Sequence, residues 1–154
     1  MFSGLCALVG RVMLAPIFIV SGAAKLADIS GTGNYMASVG LQSGLALPAA
    51  IFEIVGGLMI MFGVFTRLAS LAFAVFCLLT ALLFHRETAD PVEAAAAMKN
   101  IAIAGGFLCL IAYEGRSWSF DAYRERRRRI AAERVTIPTE SAQQVIVQKR
   151  RWRF

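Results

Sequence analysis

The sequence predicts an all-α protein: an integral membrane four-helix bundle with a basic C-terminal cytoplasmic extension. Three observations lead there. Of 154 residues, 58% are apolar and only 17% charged, far from the composition of an ordinary globular domain. Four apolar segments, Leu5–Ala27, Leu45–Val64, Leu68–Phe84 and Ala94–Tyr113, run for 17 to 23 residues each. At about 1.5 Å per helical residue, that length crosses roughly 30 Å of hydrocarbon. The charge is also segregated. Residues 116–154 hold eleven Lys/Arg against four Asp/Glu, a surplus larger than the whole chain's +6, so residues 1–115 are slightly acidic. The expected organisation is a transmembrane domain over 1–115 and a basic tail over 116–154, either an interfacial helix or disordered.

The first segment reads as a span rather than a signal peptide, because no Lys or Arg precedes it and Arg11 lies inside it. A loop, Asp28–Gly44, follows without Lys or Arg. The second span, LALPAAIFEIVGGLMIMFGV, is interrupted by one charge, Glu53. The turn at 65–67 brings Arg67, the third span is the shortest, and the 85–93 loop carries Glu87, Asp90 and Glu93 against Arg86. By the positive-inside rule, both termini and the 65–67 turn are cytoplasmic and the two longer loops face outward. Pro16 and Pro48 are expected to kink their helices, which membrane spans tolerate. Cys6, Cys77 and Cys109 fall in apolar segments with no C-x-x-C and read as small packing residues.

A lone carboxylate in hydrocarbon needs a partner, a cavity or a proton. Glu53 stands eight residues past Leu45, about 12 Å deep from the outer side. Lys25, His85, Lys99 and Asn100 fall in the same outward half, so these five form the candidate intramembrane polar site. Each has a plainer reading. Lys25 can snorkel to the interface, His85 can be a loop-edge residue, and the fourth helix can start later, at Met98, which would leave Lys99 near its end. Glu53 itself can be a structural ion pair with Lys25 or Lys99 that fixes helix register. Gly56 and Gly57 lie one turn beyond Glu53, and Gly105 and Gly106 within two turns of Lys99; small residues of this kind let helices approach closely. The alternative to close packing is a crevice for a flat ligand. No metal-ligand cluster, haem pair, flavin motif or catalytic constellation is written in the chain, so no catalytic residue and no metal is assigned.

In the tail, Trp118 and Phe120 stand where an aromatic belt would sit. Phe120, Tyr123 and Ile130, with Arg124 and Arg126, Arg127, Arg128 and Arg129 between them, suit a short helix on an anionic leaflet. Each basic residue there contributes about 1 kcal/mol. Pro138 should end any such helix, before the basic-aromatic close QKRRWRF. Anionic phospholipid is therefore the expected contact of the tail, with a solvated disordered tail and then partner docking as the alternatives. Nucleic acid is not expected, since no folded scaffold holds the basic patch.

The runs GRVMLAPIFIVSGAAKL, FEIVGGLMIMFGVFTRLASL, LLTALLFH and MKNIAIAGGFLCLIAYEG together resemble the DoxX family of bacterial membrane proteins. The resemblance covers about residues 5–115. Its most specific blocks are Glu53-x-x-Gly56-Gly57 through Gly63, Thr66, Arg67 and Ala69, and Lys99-Asn100 to Gly105-Gly106. It implies a four-helix bacterial inner-membrane protein. The family takes its name from the small subunit of a sulfur-compound:quinone oxidoreductase, and other members are associated with redox and oxidative-stress assemblies. The basic tail lies outside the common pattern. Fold alone does not set function, and three readings stay open. The first is a non-catalytic accessory subunit of a redox-linked membrane complex, whose other subunits would be its partners. Apolar walls with a carboxylate and an amine would suit a bound quinone there. The second is a small-solute or lipid-binding membrane protein. The third is a structural assembly subunit with Glu53 as a packing ion pair.

Overall fold

A computed structural model describes residues 2–84, 90–113 and 119–136. Every regular element among them is helical: α1 (Phe2–Ala27), α2 (Ile29–Ser38), a 3-10 turn (Ser43–Leu45), α3 (Ala46–Phe62), α4 (Thr66–Phe84), α5 (Pro91–Tyr113) and α6 (Phe120–Thr136). Four of these, α1, α3, α4 and α5, are long and apolar enough to cross a membrane. In each span only 17 to 33% of the most apolar stretch is buried inside the protein. The remaining apolar surface, including Met13, Val20, Leu68 and Leu82, is far more than a soluble monomer tolerates and belongs against lipid tails.

The Asp28–Gly44 stretch, expected as a loop, contains α2. Its residues, ISGTGNYMAS, are poor helix formers, and local capping compensates. The Asp28 carboxylate accepts from the Gly31 N–H at 2.8 Å, and the Thr32 hydroxyl donates to the Asp28 carbonyl at 2.8 Å. Gly33 and Met36 are the buried residues of this helix. Pro48 falls in the first turn of α3, where its missing N–H has no intrahelical partner to lose; it needs no kink. Pro16 does lie inside α1.

The α3–α4 connection is tight because Gly63 takes the left-handed conformation (φ 70°). The Gly63 N–H donates to the Ile60 carbonyl and the Val64 N–H to the Met59 carbonyl, a Schellman ending. A Cβ on Gly63 would collide with the Arg11 guanidinium and with Ser119. Asp121 closes the other side of this turn. Its N–H donates to the Gly63 carbonyl at 3.1 Å, and its carboxylate accepts from the Thr66 N–H, the first of α4, at 2.9 Å.

The helices pack as two intimate pairs, α1 on α3 and α4 on α5, which meet one another more sparingly. Glycines set the first pair. A Cβ at Gly22 would stand 2.7 Å from the Ala50 carbonyl, and one at Gly57 2.8 Å from Ile19 Cγ1, so these backbones touch. Gly56 makes room for the Phe73 ring. Between the pairs lies a cluster with a ring from every span. Phe18 meets Phe73 at 4.2 Å, Phe107 stacks on Phe73 at 5.2 Å, and Phe52 reaches Phe73 at 5.0 Å. A first compact unit ends at Ala122 and a second begins at Tyr123. Asp121, within the first unit, is tied back to the α3–α4 turn.

Candidate functional site

A groove of about 890 Å³ is lined by residues of both helix pairs; it begins at the end of the bundle where α2 lies and runs along α4 as far as Leu68. Its walls are mainly apolar, from Ile17 and Phe18 of α1, Phe52 of α3, Val75 and Phe76 of α4 and Ile103 of α5. Lys25, Glu53, Lys99 and Asn100 all line it. His85 lies outside the described residues, as do Trp118 and Pro138.

Glu53 is 2% exposed. Its Oε2 accepts from Lys25 Nζ at 2.9 Å, and the same ammonium donates to Ser21 Oγ at 2.6 Å. Helical spacing explains the second contact, since Ser21 and Lys25 are four residues apart on one face of α1. Close α1–α3 packing explains the first. Without the backbone approach at Gly22 the Lys25 amine would not meet a carboxylate eight residues into α3. The Lys25 side chain keeps 24% of its surface exposed, so the pair is a buried anion held by a cation at the groove wall. Such a pair meets the desolvation demand of the carboxylate and leaves a donor within reach of the cavity.

The facing wall is polar in a different way. Asn100 Nδ2 donates to Thr80 Oγ1 at 3.3 Å, and Thr80 Oγ1 donates to the Cys77 carbonyl at 2.9 Å. Lys99 is exposed on this wall, and among the described residues no ion pair joins it to Glu53. The described groove thus contains two ammonium groups and one carboxylate. At its α2 end, Thr32, Tyr35 and Met36 contribute to the lining, and Tyr35 stacks on Phe84 of α4 at 5.4 Å. Sequence reasoning missed Thr80, Tyr35 and the aromatic cluster. Thr80 and Asn100 are joined only by tertiary structure, whereas the Ser21 contact was open to detection from its spacing to Lys25.

Of the glycines, Gly56 and Gly57 sit at helix contacts. Gly105 has open space where a Cβ would stand, and Gly106 meets only Leu14 at an ordinary 3.7 Å. At the opposite end of the bundle, Arg11, Thr66 and Ser70 are buried, next to the Asp121 clasp, while Arg67 is exposed. Among the described residues no group of three or more His, Cys, Asp or Glu could hold a metal. On α6, Arg126 to Arg129 are all exposed. Arg129 pairs with Glu125 at 2.6 Å, and the Arg127 guanidinium lies 5.2 Å from the centre of the Tyr123 ring.

The sequence profile of the DoxX family matches residues 6–86. The chain is 42% identical over 115 residues to "Inner membrane protein YqjF" of Escherichia coli (strain K12), covering 74% of this chain and 88% of that protein. It is 34% identical over 110 residues to "Inner membrane protein YphA" of the same organism, covering 67% and 79%. A shorter match, 37% identical over 65 residues, covers 42% of this chain and 48% of "Putative oxidoreductase CatD" of Bacillus subtilis (strain 168). No solved structure matches the chain.

Proposed function

The chain belongs to the DoxX family of multi-pass inner-membrane proteins, and on that premise we propose that it is a non-catalytic accessory subunit of a redox-linked membrane complex. In this reading the groove between the helix pairs receives a quinone head group. The observation that carries it is the buried Glu53–Lys25 pair in the wall of a largely apolar cavity. A quinone carbonyl needs a donor, which Lys25 supplies. Quinone reduction takes up protons, and a carboxylate 2.9 Å from that amine can pass them. Electrons come from a partner subunit. The relative named as an oxidoreductase supports the redox association. A second reading, a structural ion pair, is favoured by the fact that Lys25 and Glu53 join two helices that already pack closely.

In the same proposal both termini are cytoplasmic, which puts the polar Lys25–Glu53 end of the groove in the periplasmic half, and Arg126 to Arg129 contact anionic phospholipid. Extraction of the protein in mild detergent, followed by mass spectrometry of its bound lipids, tests the core of this reading. Quinone retained by the wild type and lost from Lys25→Ala is the expected result. Glu53→Gln should keep the quinone but slow the proton-coupled turnover of the complex. A wild-type protein that carries no quinone, in a complex whose turnover ignores Glu53→Gln, overturns it and leaves the structural pair.

A further inference from the structure

The groove is graded along its length. Its charged and hydrogen-bonding residues, Lys25, Glu53, Thr80, Lys99 and Asn100, cluster toward the α2 end. Beyond them the lining passes Ile17, Phe18 and Ile103 and extends furthest along α4, through Val75, Ala72, Leu71 and Leu68. From Thr80 to Leu68 this apolar lane extends about 18 Å at the helical rise, much longer than any one ring. The lane is open sideways: Leu68, Leu71, Val75 and Leu79 line the groove and are each at least half exposed. In a membrane span that exposure faces acyl chains, not water. At the α2 end, by contrast, Thr32, Tyr35 and Met36 of α2 line the groove, and Tyr35 is stacked on Phe84.

We propose that the groove seats one long-chain amphiphile, with its oxygen-bearing head among Lys25, Lys99 and Asn100 and its tail along α4 toward Leu68, reached laterally from the bilayer. The argument is complementarity. Two ammonium groups against one carboxylate favour a head rich in acceptor oxygens, and an apolar lane continuous with the lipid phase favours a chain. The proposal rests on the same groove as the quinone reading and adds the tail, its direction and its route. The head chemistry is shared by a prenylated quinone and by a fatty-acid carboxylate.

The test uses the full chain in phosphatidylcholine proteoliposomes and two probes, a prenylated quinone and a long-chain fatty acid, each with a photoreactive diazirine at the tail terminus. Adducts are mapped by mass spectrometry. Labelling of Leu68 to Val75 should exceed labelling of the lipid-facing Met13 and Val20 by about fivefold or more, a preference on the order of 1 kcal/mol. Leu71→Trp, checked for an unchanged melting temperature, should abolish that excess. Should this variant unfold, the wild-type adduct map decides by itself. Excess labelling by the fatty acid alone upholds the seat and overturns the quinone. Uniform labelling by both probes, or tail adducts at Tyr35 and Phe84, overturns the proposal. It does so even if quinone co-purifies with the wild type, in which case the quinone reading survives without this tail site.

Discussion

At the scale of single residues, Lys25 and Glu53 are unequal partners. Both line the groove, but Glu53 is almost fully buried while Lys25 keeps 24% of its side-chain surface exposed, so losing each leaves a different remainder. In Glu53→Ala the ammonium keeps its Ser21 contact and can turn toward the cavity. In Lys25→Ala a carboxylate is left in an apolar wall with no counter-charge. Interhelical polar contacts in membranes contribute from about 0.6 to 2 kcal/mol, and an uncompensated buried charge costs more, about 3 kcal/mol. Lys25→Ala is therefore expected to lower the melting temperature in detergent more than Glu53→Ala does. The double variant should be more stable than Lys25→Ala alone, because it removes the orphaned charge. Equal losses in the two single variants, with a strictly additive double, would show that the pair carries no coupling.

At the scale of elements, the glycines separate into those that a neighbour forbids from growing and those that it does not. A Cβ at Gly56 would meet the Phe73 ring at 2.8 Å, and one at Gly22 would meet the Ala50 backbone oxygen at 2.7 Å. Gly22→Ala should cost about 1–3 kcal/mol by forcing α1 from α3. Gly56→Ala should cost less, since an aromatic side chain can shift where backbone cannot. Gly105→Ala meets nothing and should be neutral or stabilising by up to about 1 kcal/mol through helix propensity. Thermal unfolding of the three variants gives the order directly. The same elements show what could be read in the chain beforehand. The spans were legible because length and apolarity are properties of consecutive residues. Glu53 was legible as a buried charge because no choice of helix ends brings it to the surface. Helix α2 was hidden because its stability comes from the Asp28 cap and from Met36 buried against other helices, not from its own composition. The pairing of Glu53 with Lys25 rather than Lys99 depends on how closely α1 approaches α3, and the Thr80–Asn100 contact depends on how α4 meets α5. Neither is encoded by local spacing.

At the scale of the whole molecule, the charge boundary and the structural boundary do not coincide. Composition changes at Arg116, whereas the first compact unit takes in Asp121 and ends at Ala122. Asp121 caps the first turn of α4 and holds the Gly63 carbonyl at once. Two truncations therefore have different expected outcomes. A chain ending after Ala122 keeps both Asp121 hydrogen bonds and should melt within a degree or two of the full protein, since surface charge on α6 contributes little to core stability. A chain ending after Tyr113 leaves the Thr66 N–H and the Gly63 carbonyl without this partner and should lose about 1–2 kcal/mol, the size of a helix cap. Asp121→Ala in the full chain should reproduce most of that loss, whereas Asp121→Asn, which keeps an acceptor oxygen, should recover much of it. If the two truncations melt alike, the Asp121 clasp is not part of the core's stability, and the basic segment can be treated as separate from Arg116 onward.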